Sequence, residues 1–215
     1  MARRAGWAAA HQARRGVAAA RALAGKERQP IDKAWFSHCV EQIRDGQTVV
    51  VNELCLDPSQ LCLTAPGSFF GVSAAGSLGW GIGAALGVKL AAPEKTVICG
   101  VGDGSYIFGS PEAGHWVSRA YDLPVLFLVF NNAGWNAVAS ATRSVYPDGH
   151  AVRTGLAPFT SLAPALDFEH VITAAGGYGE KVTDPADLPN ALQRALRVVQ
   201  EERRQALLNV VGFRP

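Results

Sequence analysis

The chain lacks an excess of charge of either sign. Its 20 Lys and Arg stand against 18 Asp and Glu, leaving +2 over 215 residues. That is too little to imply a nucleic-acid partner. Cysteine is sparse: Cys39, Cys55, Cys62 and Cys99 form no C-x-x-C and no paired histidine spacing. Neither a zinc site nor a disulfide framework is suggested, and buried thiols in a reducing cytoplasm are expected. No run is long and apolar enough for a membrane. The candidate from Ala74 to Leu90 is broken by five glycines and by Lys89, and is too short to span. Two familiar phosphate loops are missing as well. A dinucleotide G-x-G-x-x-G would need glycine where Ile107 stands, and a P-loop would need Lys-Ser or Lys-Thr where Gly109-Ser110-Pro111 stands. Acids are nearly absent from the first thirty residues, where seven Lys or Arg face only Glu27. Residues 1–30 read as a basic linker or N-terminal helix, and a transit peptide is the other use of such composition. Residues 31–215 read as one domain, with 48% hydrophobic content enough for a sizeable core.

What is present alternates. Apolar runs Thr48–Val51, Phe69–Gly71, Thr96–Val101, Pro124–Phe130 and Ala206–Val211 read as strands, and Gly176-Gly177-Tyr178-Gly179 leads into a further short one. Between them, helical spacing recurs at Ile31–Ile43, after Pro111, after Gly134, over Asp167–Ala175 and over Asp187–Glu202. Ser110 and Pro111 look like a cap and a first helical residue. The alternation predicts an α/β fold: a doubly wound, mainly parallel sheet with helices on both faces. Ser144–Pro158 has turn chemistry and little periodicity, so it reads as a lid-like loop. His150 within it is either a substrate acid or base or an ordinary exposed histidine.

Two strand ends carry the chemistry. The run ending at Val101 breaks into Gly102-Asp103-Gly104-Ser105, and the run ending at Phe130 breaks into Asn131-Asn132. The 26 residues between Gly104 and Asn131 suffice for a helix, a turn and a strand. Both polar tips can then sit side by side at the carboxyl edge of adjacent parallel strands, where open α/β sheets bind ligands. Asp103 offers a carboxylate and Asn132 an amide carbonyl, and the turn after Asn132 can add a backbone carbonyl. Mg2+ wants about six such oxygens and commonly takes several from phosphate and water. The N–H groups of Gly104 and Ser105 suit an anion. A phosphorylated ligand bridged by a divalent cation fits this set.

This G-D-G-S followed by N-N at that spacing resembles the cofactor motif of the thiamine diphosphate-dependent enzymes. The resemblance runs over roughly residues 31–213 and is closest to acetolactate synthases and benzoylformate decarboxylases. It implies that Asp103, Asn132 and the Gly134 carbonyl hold Mg2+. It implies that Gly102, Gly104 and Ser105 meet the diphosphate, with Cys55, Leu56, Trp135 and Asn136 also on the cofactor. Gly76-Ser77-Leu78-Gly79 looks like the family's G-x-hydrophobe-G, in which Leu78 would hold the cofactor bent and the Gly76 carbonyl would accept from the aminopyrimidine. By the same resemblance Val138, where simple decarboxylases carry glutamate, favours carboligation over plain decarboxylation. Trp135, Ala137 and Val138 would face a small-molecule substrate, a 2-keto acid or a 2-hydroxyacyl compound.

The family's activating glutamate lies on a separate pyrimidine-binding domain, and nothing here resembles that domain. Glu53 reads either as a catalytic acid near substrate or as a turn carboxylate on a solvated edge, and belongs to the diphosphate half in either case. The expectation is therefore a diphosphate-binding half that works with a pyrimidine-domain subunit, for example in a heterotetramer, or that is a piece of a longer chain. Alternatives are a 2-hydroxyacyl-CoA lyase-type subunit and a catalytically silent cofactor-binding or assembly subunit. Partners of other kinds, nucleic acid and membrane, are not expected.

Overall fold

The computed structural model describes residues 2–72 and 77–213. In chain order these form α1 (Ala2–Ala24), α2 (Lys33–Gln42), β1 (Thr48–Glu53), a 3-10 turn (Pro58–Gln60), β2 (Phe69–Phe70), α3 (Trp80–Ala91) and β3 (Thr96–Gly102). Then come α4 (Asp103–Phe108), α5 (Pro111–Ala120), β4 (Leu126–Asn131), α6 (Asn136–Val145), α7 (His150–Thr154) and α8 (Glu169–Ala174). The chain closes with β5 (Tyr178–Val182), α9 (Leu188–Gln200) and β6 (Ala206–Val211).

The six strands form one sheet in the order β2-β1-β3-β4-β6-β5, and every pairing is parallel. β1, β3 and β4 are buried almost throughout because helices cover both faces, which is why they read as continuous apolar runs rather than alternating ones. On one face Phe36, Val40 and the apolar stripe of α9 (Leu188, Leu192, Ala195, Val199) pack on Val50, Ile98, Leu126 and Leu208. On the other Ile82, Leu86, Tyr106, Phe168 and Ile172 pack on Val97, Val101, Phe127 and Val129. The winding reverses between β1 and β3, which is the switch point where such sheets bind ligands.

Several elements differ from the sequence reading. Within the Ala74–Leu90 run, α3 starts at Trp80, directly after Gly79, which stands in the left-handed region at φ 82. A Cβ on Gly79 would lie 2.6 Å from the Gly109 Cα, so this close backbone crossing requires glycine. Ser110 occupies the N-cap position of α5 but at φ 50, and its side chain makes no capping bond. Ser144–Pro158 is not one open loop. α6 runs to Val145, and α7 forms on local bonds from the Val152 and Arg153 amides to the Gly149 carbonyl. A one-turn helix built on such local bonds has too few residues to show periodicity. Within residues 1–30, α1 is a 23-residue helix whose Ala18 and Ala22 are buried against the body, while Gln60 donates to the Ala18 carbonyl. No helix among the described residues is long and apolar enough to cross a membrane.

α4 is tied to α5 and to the start of β6 by a buried polar chain. The Tyr106 hydroxyl meets His115 Nε2 at 2.6 Å, and His115 Nδ1 meets Gln205 Oε1 at 2.8 Å. Gln205 Nε2 donates to the His115 carbonyl, so its Oε1 must accept. His115 therefore carries its proton on Nδ1 and accepts from Tyr106 at Nε2. Burial holds the imidazole below its ordinary value of 6.5 despite the Gln205 bond. A histidine kept neutral in the fold contributes stability above the unfolded value and loses it as pH falls below that value. Urea midpoints should thus drop between pH 7.5 and 5.5, and His115→Asn should flatten that dependence. An unchanged slope in the variant would exclude His115 as its source.

Candidate functional site

A cavity of about 480 Å³ opens at the carboxyl edge of the sheet, over the tips of β1, β3 and β4. Its wall includes Gly102, Asp103, Gly104 and Ser105 from the end of β3. Asn132, Gly134, Trp135, Asn136, Ala137 and Val138 enter from the end of β4, and Glu53, Leu54 and Cys55 from the end of β1. Leu78 closes one side. Sequence positions far apart meet here because parallel strands put all their carboxyl ends on one edge.

Asp103 is buried, and its two oxygens are held differently. Oδ1 accepts from the Gly104 amide at 2.9 Å and Oδ2 from the Gly134 amide at 3.0 Å. The second bond stitches the β3 tip to the β4 tip across 31 residues. Burial pushes the carboxyl above its ordinary value, while the amides of Gly134, Gly104, Asn132 and Ala133 pull it back down. Beside it, the Asn132 Oδ1 is fully buried with no hydrogen-bond partner, and so is the Asn136 Oδ1. A buried acceptor left without a donor costs about 1–3 kcal/mol, and both of these belong to residues that line the cavity. Asp103 with Asn132 is a hard-oxygen pair that suits Mg2+. The Gly134 carbonyl, the third expected ligand, accepts from the Asn136 amide at 2.8 Å and keeps a second lone pair. Ala133, between Asn132 and Gly134, stands at φ 53, a conformation that costs energy and is maintained where a turn must aim its groups.

The expected cofactor residues divide. Gly104 lies directly under Trp135: a Cβ there would sit 2.5 Å from the indole Cε3, so any side chain would push the ring out of the wall. Ser105 is buried beside it. Leu78 reaches the cavity and Ser77 is exposed. Gly76 lies outside the described residues. Cys55 reaches the wall, but its amide and that of Leu56 both donate to Asn52 Oδ1, at 3.1 and 2.7 Å. Leu56 packs into the core and lines a separate groove instead, a correction to its expected place on the cofactor. Asn52 is the residue that shapes this loop.

Glu53 is not a solvated turn carboxylate. It is 1% exposed, and it accepts from the Gly79 amide and from the Gly81 amide, both at 2.7 Å. It caps α3 from another strand, replacing the side-chain cap that Gly79 cannot supply. His150 is exposed and does not line the cavity. Arg21, Arg28, Lys33 and Phe213 do line it and were not expected. Arg28 stacks 3.7 Å above the Phe213 ring.

Fold and cavity together define an α/β domain with a cavity lined by oxygen donors at the switch point of a parallel sheet. Residues 57–210 match the family described as thiamine pyrophosphate enzyme, C-terminal TPP binding domain. The chain belongs to that family. It is 33% identical over 128 residues to the acetolactate synthase isozyme 3 large subunit of Escherichia coli, which covers 60% of this chain and 21% of that protein. It is 32% identical over 187 residues to mouse 2-hydroxyacyl-CoA lyase 1, covering 86% of this chain and 30% of that one. Its fold matches a thiamine diphosphate-dependent 4-hydroxybenzoylformate decarboxylase from Rhodococcus jostii with a TM-score of 0.73 and 27% identity, over 86% of this chain and 33% of that one. The chain thus spans between a fifth and a third of the proteins it matches.

Proposed function

We propose that this chain is the diphosphate- and Mg2+-binding half of a thiamine diphosphate-dependent C–C lyase or carboligase acting on 2-keto acids or 2-hydroxyacyl compounds. The observation that carries the reading is the buried Asn132 Oδ1 without a hydrogen-bond partner, on a residue that lines the same cavity as Asp103. Thiamine diphosphate supplies an electron sink for the pair released when a C–C bond beside a carbonyl breaks. The chain's own residues do the holding. Asp103, Asn132 and the Gly134 carbonyl would fix the cation, Gly104 and Ser105 would receive the diphosphate, and Leu78 would set the bend. Trp135, Ala137 and Val138 form an apolar wall that keeps water from the reacting centre. Val138 offers no proton, which favours carboligation over simple decarboxylation.

Among the described residues of the cavity wall the acids are Asp32, Glu53 and Asp103. Asp32 caps α2, Glu53 caps α3, and Asp103 belongs to the cation. None is left to activate the cofactor, so that glutamate is assigned to a pyrimidine-binding domain on a partner or elsewhere in a longer chain. The long match to the mouse lyase supports a CoA thioester as the second choice of substrate. With thiamine diphosphate, Mg2+ and pyruvate, the chain alone should bind cofactor yet give no product, and adding a pyrimidine-domain subunit should start turnover. Turnover by the chain alone would refute the partner requirement.

A further inference from the structure

Lys33 breaks a local rule. It is the first residue of α2, directly after the Asp32 cap, and a cation at a helix N-terminus opposes the helix dipole. Positions that break local preferences are often kept for a site. Its Nζ donates to the Leu54 carbonyl at 2.8 Å. An ammonium has three donors, and among the described residues no carboxylate lies within ion-pair distance of this one. The other two cations of the cavity wall are engaged, Arg21 with Asp57 at 3.8 Å and Arg28 with Asp32 at 3.5 Å.

The Leu54 carbonyl fixes where that charge sits. Leu54 is held at φ 58, and its backbone bridges Val101 at the end of β3. Lys33 is thereby anchored over the joint tip of β1 and β3, the tip that continues into Asp103, Gly104 and Ser105. The fully buried Cys55 thiol feels both Lys33 and Asp103, with opposite effects on its acidity, so the two charges share one small region. A diphosphate bears more negative charge than a single divalent ion cancels, and the Asp103 carboxylate adds another.

We propose that Lys33 is a further binding residue for the cofactor's diphosphate, supplying the positive charge that the Asp103–Asn132 cation site leaves unbalanced. The inference rests on the thiamine diphosphate reading of the cavity. It is tested by calorimetric titration of thiamine diphosphate with Mg2+ into the full chain, as wild type, Lys33→Met and Lys33→Arg, at low and high salt. Unphosphorylated thiamine serves as the control ligand. Lys33→Met should weaken diphosphate binding about tenfold at low salt and flatten its salt dependence. Lys33→Arg should recover most of the affinity. Lys33 is exposed, so both variants should melt like the wild type. Wild-type affinity in Lys33→Met, or a loss with the salt dependence intact, overturns the proposal and leaves Lys33 as a clamp on the Leu54 loop. A wild-type chain that binds no thiamine diphosphate, with Mg2+ present, overturns the cavity reading itself and this proposal with it.

Discussion

Asp103→Ala is expected to weaken Mg2+-dependent binding of thiamine diphosphate by about a hundredfold or more. Outer-shell partners of metal ligands alone are worth about 10- to 100-fold, and the proposed role puts Asp103 in the inner shell. The carboxylate does two jobs that alanine cannot share. It offers a charged oxygen in the wall that Asn132 shares, and through the Gly134 amide it ties the β4 tip to the β3 tip. Its loss removes a ligand and releases the turn that aims the others. Asp103→Asn separates the two: an amide oxygen can still accept from Gly134, so the turn should hold while cation affinity falls. Calorimetry with and without Mg2+ reads both effects. Unchanged affinity in Asp103→Ala would place the cation elsewhere.

The largest effect on stability is expected at Glu53, which sits in the same cavity wall. Glu53→Ala leaves the Gly79 and Gly81 amides without their acceptor. The loss should be about 3 kcal/mol, or about 10 °C in melting temperature for a chain of this size. The space Glu53 leaves cannot be refilled cheaply, because Gly79 is pressed against the Gly109 backbone. Glu53→Gln keeps one acceptor and should lose less. Thermal melts of the two variants decide the matter. A Glu53→Ala chain that melts like the wild type but loses turnover in the complete enzyme would restore the catalytic reading of this residue.

The contrast between these two acids shows what the sequence could convey. Asp103 was legible because its meaning is local: a strand ends, glycines flank the carboxylate, and a second polar tip follows at a fixed interval. The central strands were legible for the same reason, since burial on both faces writes itself as an unbroken apolar run. Glu53 was not legible, because its partners lie 26 and 28 residues further on, beyond a segment whose helix start no residue pattern fixes. Asn52 was missed because a polar side chain at a strand end reads as ligand-facing, whereas this one folds back on its own loop. The chain from Tyr106 through His115 to Gln205 includes one bond that spans 90 residues, and nothing near His115 announces it. Lys33 did leave a trace, a cation placed where the helix dipole disfavours it.

The central claim is that one cation is gripped between the Asp103 and Asn132 side chains. Mn2+ can stand in for Mg2+ at an oxygen site and reveals itself by anomalous scattering. Crystals grown with Mn2+ and thiamine diphosphate should show one strong anomalous peak at about 2 Å from an Asp103 carboxylate oxygen and from Asn132 Oδ1. A peak that leaves either side chain uncoordinated, or an ordered cofactor with no metal between these tips, would contradict the account.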